Sequence, residues 1–204
     1  MSFGKNRIQS VLTRHNLTAP VSDLVGAQGR AFLQDCLSQG PSAADRRSIE
    51  DNLAAIDFFD RLVAKLKRCL EEQVRGDPGV ALLQTLPGVG LITAATIRAE
   101  LGEVERFPNA DRAARWAGLT PSVRASDETV HRGPITREGS VNLREAMVGA
   151  ALRAVRYSPA LRRFHDRIAK RRGLGMARVA LAHKMLVIAY CMLRSGQPFS
   201  EPPA

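Results

Sequence analysis

The stretch from Gln84 to Leu101, QTLPGVGLITAATIRAEL, decides the fold. Its apolar and small residues predict one helix leading into a tight turn at residues 87–90, PGVG, and a second helix leading out of it. Glycine lets the backbone turn without a Cβ atom. The amide N–H groups at the start of the second helix can then face an anion.

Helix-hairpin-helix modules use the same pattern of a hydrophobic residue, Pro-Gly, a hydrophobic residue and Gly. In this interpretation Gly88 and Gly90 contact a nucleic-acid phosphate, which positions the ligand without reading its sequence. The alternative is a plain turn between two packed helices. The residues alone leave both alternatives open.

A long amphipathic helix precedes this hairpin, and we predict it from about Asp45 to Arg75. Its apolar stripe repeats about every 3.6 residues and ends before the helix-breaking run GDPG at 76–79. The stripe comprises Ile49, Leu53, Ile56, Phe59, Val63, Leu66, Leu70 and Val74. About thirty residues of this pattern favour an arm that packs on a partner, either within the chain or in a second copy.

Shorter helices are predicted on both sides. Residues 5–15 and 24–37 each show a weak apolar stripe, and 109–118, 141–156, 159–172 and 175–194 follow the hairpin. No segment shows a strong strand pattern, so the predicted fold class is all-α (α-rich). The predicted organisation is N-terminal short helices at 1–44, the long helix at 45–76, a C-terminal domain at 77–199 and a tail at 200–204.

Charge is distributed unevenly. The chain has 30 Lys and Arg against 20 Asp and Glu, a net charge of +10, and nearly all the excess lies after residue 140. Arginine dominates there, and its guanidinium group holds phosphates bidentately. The predicted partner is therefore a nucleic acid, and the strongest candidates for phosphate contacts in this region are Arg144, Arg162, Arg163, Arg171 and Arg172.

Two other classes are disfavoured. The apolar run near Met185–Leu193 is far shorter than the roughly 20 residues of a membrane span. Cys36, Cys69 and Cys191 are widely spaced, so we expect buried or half-buried thiols in a reducing cytoplasm. The single tryptophan, Trp116, is expected to anchor the core, and a stacking platform is the less favoured alternative.

The segment 120–140, TPSVRASDETVHRGPITREGS, is polar and has no helical period, and a segment of this kind is usually either functional or disordered. It mixes hydroxyl groups with Arg124, Arg132 and Arg137. A serine Oγ can attack phosphorus while guanidinium groups stabilise the added negative charge. From the residues alone, a solvated surface loop is the favoured alternative.

Two longer stretches, LLQTLPGVGLITAATIRAELGEVERFPNADRAARWAGLTPSVRASD and HRGPITREGSVNLREAMVGAALRA, resemble the C-terminal region of insertion sequence 110/116/902 family transposases. These are bridge-RNA-guided recombinases. The resemblance extends over about residues 5–199. It implies that a serine becomes covalently linked to DNA during strand exchange, and motif matching places that serine at Ser126. Ser122 and Ser140 do not match the motif.

The resemblance also implies partners and a further domain. Family members begin with a RuvC-like domain whose four acidic residues bind Mg²⁺, followed by a coiled-coil connector, here the long helix. That acidic domain has no counterpart before residue 5, so we expect a truncated transposase that binds no cofactor itself. The expected partners are DNA, a guide RNA and a second copy through the long helix, in the bacterial cytoplasm. A non-catalytic DNA-binding remnant that regulates the full-length enzyme is the alternative.

Overall fold

The computed structural model describes residues 2–39, 42–126, 129–136 and 138–201, and only the backbone of Ser2, Gln39, 121–126, 129–132 and 134. The described part is α-rich, as predicted, with eight α-helices. It divides into two compact units, Met1–Cys69 and Leu70–Ala204.

The first unit is built from three helices, α1 (Ser2–Arg14), α2 (Ala27–Gln39) and the first part of α3 (Ala43–Gln73). Their apolar faces form a separate core: Ile8, Val11, Leu12, Leu24, Leu33, Cys36, Ile49 and Ile56 are buried. Asp45 joins the end of α1 to the start of α3, because its carboxylate accepts hydrogen bonds from Arg14 at 2.7 Å and from Ser42 at 2.9 Å, and contacts His15 at 2.9 Å.

The predicted long helix is confirmed as α3, which has 31 residues. Ile49 and Ile56 of its apolar stripe are buried. Every residue from 57 to 69 except the half-exposed Asp57 is exposed, including the apolar side chains of Phe58, Phe59, Leu62, Val63 and Leu66.

The second unit contains α4 (Pro78–Leu83), α5 (Leu91–Leu101), a 3₁₀ turn (Val104–Arg106), α6 (Ala110–Trp116), α7 (Val141–Tyr157) and α8 (Pro159–Ser195). Asp77 caps α4, since its carboxylate accepts from the backbone N–H of Gly79 at 2.7 Å. One continuous core joins these helices, with α7 and α8 packed against each other at its centre.

The two C-terminal helices predicted at 159–172 and 175–194 are the two halves of α8, which breaks at Gly173 (φ +83°). By length and composition α8 is apolar enough to cross a membrane. Its second half, however, packs Leu181, Met185, Leu186 and Ala189 into the core of the unit. It is therefore the core helix of this fold.

The polar segment holds a feature that the sequence did not predict, an antiparallel β-hairpin of β1 (Pro121–Ser126) and β2 (Thr129–Ile135). Backbone pairing needs no alternating apolar pattern, so a polar hairpin carries little sequence signal. The cysteines also differ in part from expectation. Cys36 is buried, whereas Cys69 and Cys191 are exposed.

Candidate nucleic-acid interface

The hairpin brings the predicted catalytic serine and two of the predicted arginines into one ladder. Ser126 is the last residue of β1 and pairs with Thr129, the first residue of β2. Arg124 pairs with His131, and Val123 pairs with Arg132. The backbones of Arg124 and Arg132 are therefore neighbours in the ladder, a few residues from Ser126. Arg137 lies outside the described residues.

The base of the hairpin is tied to α6 by the backbone. Thr136 N–H donates to the Thr120 carbonyl at 3.0 Å, and Ser140 N–H donates to the Trp116 carbonyl at 2.9 Å. Gly139 has φ +107°, and a Cβ there would lie 2.9 Å from the Trp116 carbonyl carbon. The chain returning from the hairpin therefore packs directly on the end of α6.

Ser140 and Arg144 both serve the fold at this point. The Ser140 hydroxyl caps α7, accepting from the Leu143 N–H at 3.0 Å. Arg144 is half-buried and donates to the Ala117 carbonyl at 3.0 Å. A DNA contact by Arg144 stays a prediction, since its guanidinium already binds the end of α6.

The two glycines of the PGVG turn have different surroundings. Gly88 has φ +82°, and a Cβ there would lie 2.6 Å from the Ala154 nitrogen and against the Ala150 carbonyl of α7. Gly90 precedes α5 with φ −96°, is exposed and has open space at its Cβ position. The geometry of Gly88 fits tight packing of the turn on α7. The geometry of Gly90 leaves the α5 N-terminus open.

Arg153 lies at this open helix end, although the sequence analysis did not single it out. Its guanidinium donates to the Gly88 carbonyl at 3.0 Å and to the Thr93 hydroxyl at 3.1 Å. The side chain is exposed. It therefore places a positive charge beside the unpaired N–H groups that begin α5, where the helix dipole also attracts anions. The signal for it was its place in the arginine-rich region after residue 140.

The predicted arginines of α8 are exposed, but one of them is already engaged. Arg162 donates to the carbonyls of Val155 at 2.7 Å and Arg156 at 3.3 Å, so it caps the end of α7. Arg163, Arg171 and Arg172 are exposed.

The family model described as "Transposase IS116/IS110/IS902 family" matches residues 80–166. The match begins in α4, contains the whole hairpin with Ser126, and ends in α8. The chain carries the transposase domain of the IS116/IS110/IS902 family.

Curated relatives share this IS110-type region. The chain is 32% identical over 139 residues to the insertion element IS110 uncharacterized 43.6 kDa protein of Streptomyces coelicolor, covering 66% of this chain and 34% of that protein. It is 28% identical over 151 residues to a probable family 20 transposase of Pseudomonas aeruginosa, covering 72% and 44%. It is also 28% identical over 150 residues to a pilin gene-inverting protein of Moraxella bovis, covering 72% and 46%.

The matched regions span about a third to a half of the length of these relatives. Two of these three relatives are named as a probable transposase and as a pilin gene-inverting protein.

An apolar groove of about 540 Å³ lies beside the hairpin of this transposase domain. Leu119, Ile135, Phe164, Met176 and Val179 line it, together with the basic side chains of Arg172 and Lys184. His183 also faces the groove, and burial lowers the pKa of this imidazole while the charge of Asp111 acts weakly in the opposite direction. The neutral form of His183 is therefore favoured.

A metal centre of the kind that this family implies does not fit the described residues. Nowhere in 2–39, 42–126, 129–136 and 138–201 do three or more His, Cys, Asp or Glu side chains converge as ligands. The carboxylate of Glu100 accepts from the Asn142 side chain at 3.3 Å, and Glu103 lies 3.8 Å from Arg98. We therefore derive no step through a metal ion.

Proposed function

We propose that this chain is the DNA-acting part of an insertion-sequence transposase, which binds DNA and joins it covalently to Ser126 during strand exchange. The observation that carries the proposal is the family match over residues 80–166, which contains the hairpin and its terminal Ser126. A guide RNA, expected from the resemblance, is the further partner.

The chemistry is a transesterification at phosphorus. The Ser126 Oγ attacks a phosphodiester, a phosphoserine bond forms, and the released sugar hydroxyl takes up a proton. A serine hydroxyl is a weak nucleophile and needs activation. Arg124, two residues before Ser126 in β1, shares the strand face of Ser126, and we assign it to holding the phosphate and its developing charge. Arg132 pairs with Val123 on the other face, and we assign it to an adjoining phosphate of the DNA.

Duplex binding is assigned to two basic regions of the second unit. One is the exposed arginine group of α8, Arg163, Arg171 and Arg172. The other is the open N-terminus of α5 with Gly90 and Arg153, where the first backbone N–H groups of the helix and a guanidinium lie side by side. Both contact phosphates, so they hold DNA without selecting its sequence.

The test is a covalent protein–DNA adduct resistant to denaturation. The chain is incubated with element-end DNA, guide RNA, Mg²⁺ and a RuvC-like domain from a relative supplied in trans. We expect an adduct in the unmodified chain and in Ser122→Ala, and none in Ser126→Ala. Ser122 is the matched control because it lies in the same strand. An adduct that persists in Ser126→Ala contradicts the assignment. DNA binding with no adduct in any variant favours the non-catalytic alternative.

We also propose that α3 pairs with α3 of a second copy. Apolar side chains that are 39–59% exposed run along this helix between Phe58 and Leu66. Exposed apolar residues repeating at helical spacing are typical of a helix that packs on a partner helix.

Sedimentation equilibrium tests this pairing. Leu66→Glu places a charge in the apolar stripe and is expected to shift the protein toward the monomer. Arg68→Glu makes a charge change on the opposite face of the same helix and is expected to leave the oligomer intact. Equal behaviour of the two variants contradicts pairing through this stripe.

A further inference from the structure

Trp116 is 43% exposed, contrary to the expectation of a core anchor. It lies on the outer face of α6 with Arg112 and Arg115, while Ala113, Ala114 and Ala117 turn into the core. Residues spaced by three and four along a helix share one face. This face therefore presents a large aromatic ring beside two exposed arginine side chains.

The ring belongs to a fixed aromatic cluster. The Arg106 guanidinium lies 4.9 Å from the centre of the Trp116 ring and 4.5 Å from that of Phe107. Arg106 also donates to the Glu100 carbonyl at 2.9 Å. The Phe107 carbonyl accepts from the buried Tyr190 hydroxyl at 2.9 Å. These contacts hold the rings and the guanidinium in place before any ligand binds, which lowers the entropic cost of binding.

The surface around the cluster is concave and positively charged. A shallow concavity of about 550 Å³ is lined by Arg106, Phe107, Arg112, Arg115, Trp116 and Glu138, among others. Three guanidinium groups face one carboxylate there. Ion pairs within the described ranges include none of these three arginines. Asp111 is on the same helix, and its negative charge raises the pKa of His183 in α8, against the larger effect of burial.

We propose that Trp116 and Arg106 form a stacking site for one unpaired nucleobase of single-stranded nucleic acid, with Arg112 and Arg115 holding the adjoining phosphates. Bases stack on aromatic rings and guanidinium planes, and this stacking tolerates any base because each has a π-face. Bases inside a duplex already stack on their neighbours, so the site selects an unpaired nucleotide. The inference rests on the proposed function and adds that the nucleic acid bound at this site is single-stranded.

The site is separate from the proposed chemistry. The chain leaves α6 after Trp116 and enters β1, whose six residues extend about 20 Å to Ser126 at about 3.3 Å per residue. A strand stacked on Trp116 is therefore held several nucleotides from the bond that Ser126 attacks. Trp116 acts here as a positioning residue.

Fluorescence reports on this site alone, because Trp116 is the only tryptophan of the chain. The protein is titrated at low salt with an eight-nucleotide single-stranded DNA, the matching RNA, an abasic DNA of equal length and a DNA duplex. We expect quenching by the single strands that have bases, and little by the abasic strand or the duplex. The DNA and RNA arms show which strand binds more tightly.

Two variants test the ring itself. Trp116→Ala is expected to weaken single-strand binding about 5- to 150-fold, the range for loss of one stacked base. Trp116→Phe keeps an aromatic face and is expected to retain most of the affinity. Binding is followed by anisotropy of a labelled strand, with thermal unfolding as the folding control. If Trp116→Ala fails to fold, the fluorescence result decides.

Three results would overturn the inference. Equal quenching by the abasic and the normal strand shows phosphate binding without stacking. Unchanged fluorescence with the normal single strands, while duplex DNA still binds with its salt dependence, removes the stacking site and leaves the proposed function standing. If no nucleic acid binds under any condition, the proposed function fails together with the stacking site.

Discussion

Replacing Gly88 by alanine is expected to destabilise the second unit strongly. Gly88 has φ +82°, a conformation that costs an alanine about 1–2 kcal/mol. The new Cβ would also lie 2.6 Å from the Ala154 nitrogen and against the Ala150 carbonyl, both backbone atoms of α7. Overlap of this kind costs a further ~1–3 kcal/mol.

Together the two effects lower the free energy of unfolding by roughly 2–5 kcal/mol. At about 2–4 °C per kcal/mol this corresponds to a fall in Tm of roughly 4–20 °C. Circular dichroism at 222 nm during heating measures it. Gly90→Ala is the matched control, since Gly90 has φ −96° and open space at its Cβ position. We expect its Tm to stay near that of the unmodified chain.

The comparison also separates packing from phosphate contact within one turn. Weaker DNA binding by Gly90→Ala at unchanged Tm supports the open α5 N-terminus as a contact. The reasoning on Gly88 is refuted if Gly88→Ala melts within 1 °C of the unmodified chain, because then α7 does not constrain the turn.

Three further outcomes follow from charges and caps. If five or six phosphates are neutralised, a plot of log K for duplex binding against log salt concentration should have a slope near −5. The double variant Arg163→Gln, Arg171→Gln should make this slope shallower, whereas Arg46→Gln, at an exposed position of α3, should leave it unchanged. A flat salt response in the unmodified chain contradicts the DNA interface. Hydrogen bonds, first from His15 and then from Ser42, lower the pKa of Asp45 below its usual 3.8, so its contribution to stability is present above about pH 4 and lost on further acidification. The loss of hydrogen-exchange protection in α1 on acidification should therefore be smaller in Asp45→Asn than in the unmodified chain, and an equal loss refutes this. Ser140→Ala should lower the free energy of unfolding by ~1 kcal/mol by uncapping α7, with the exposed Ser200→Ala as the control; equal Tm values for the two would show that the cap is not needed.

The helical framework was predictable because apolar periodicity and breaker residues act locally. The α3 stripe, the GDPG stop before α4 and the glycine break in α8 all carry their signal in neighbouring residues. Which residues of an apolar stripe are buried in the tertiary structure could not be read from neighbouring residues in this way. Ile56 and Phe59 both belong to the apolar stripe of α3, yet Ile56 is buried and Phe59 is 52% exposed.

The candidate site was predictable only in part for the same reason. Arginine-rich composition indicated a polyanion partner, but composition does not separate Arg162, which caps α7, from the exposed Arg163 beside it. Trp116 was expected in the core because tryptophan is mostly apolar. The short helix α6 instead buries its alanines and turns the ring outward beside Arg112 and Arg115.

Peptide mapping of the DNA-linked protein tests the central claim most directly. Trypsin cleaves after Arg115, Arg124, Arg132 and Arg137, so Ser122, Ser126 and Ser140 fall into three different peptides. After nuclease trimming, mass spectrometry locates the residual nucleotide. The account predicts it on peptide 125–132, ASDETVHR, whose only serine is Ser126, with fragment ions placing it on that residue. A nucleotide on peptide 116–124 or 138–144, or on Thr129, would contradict the account.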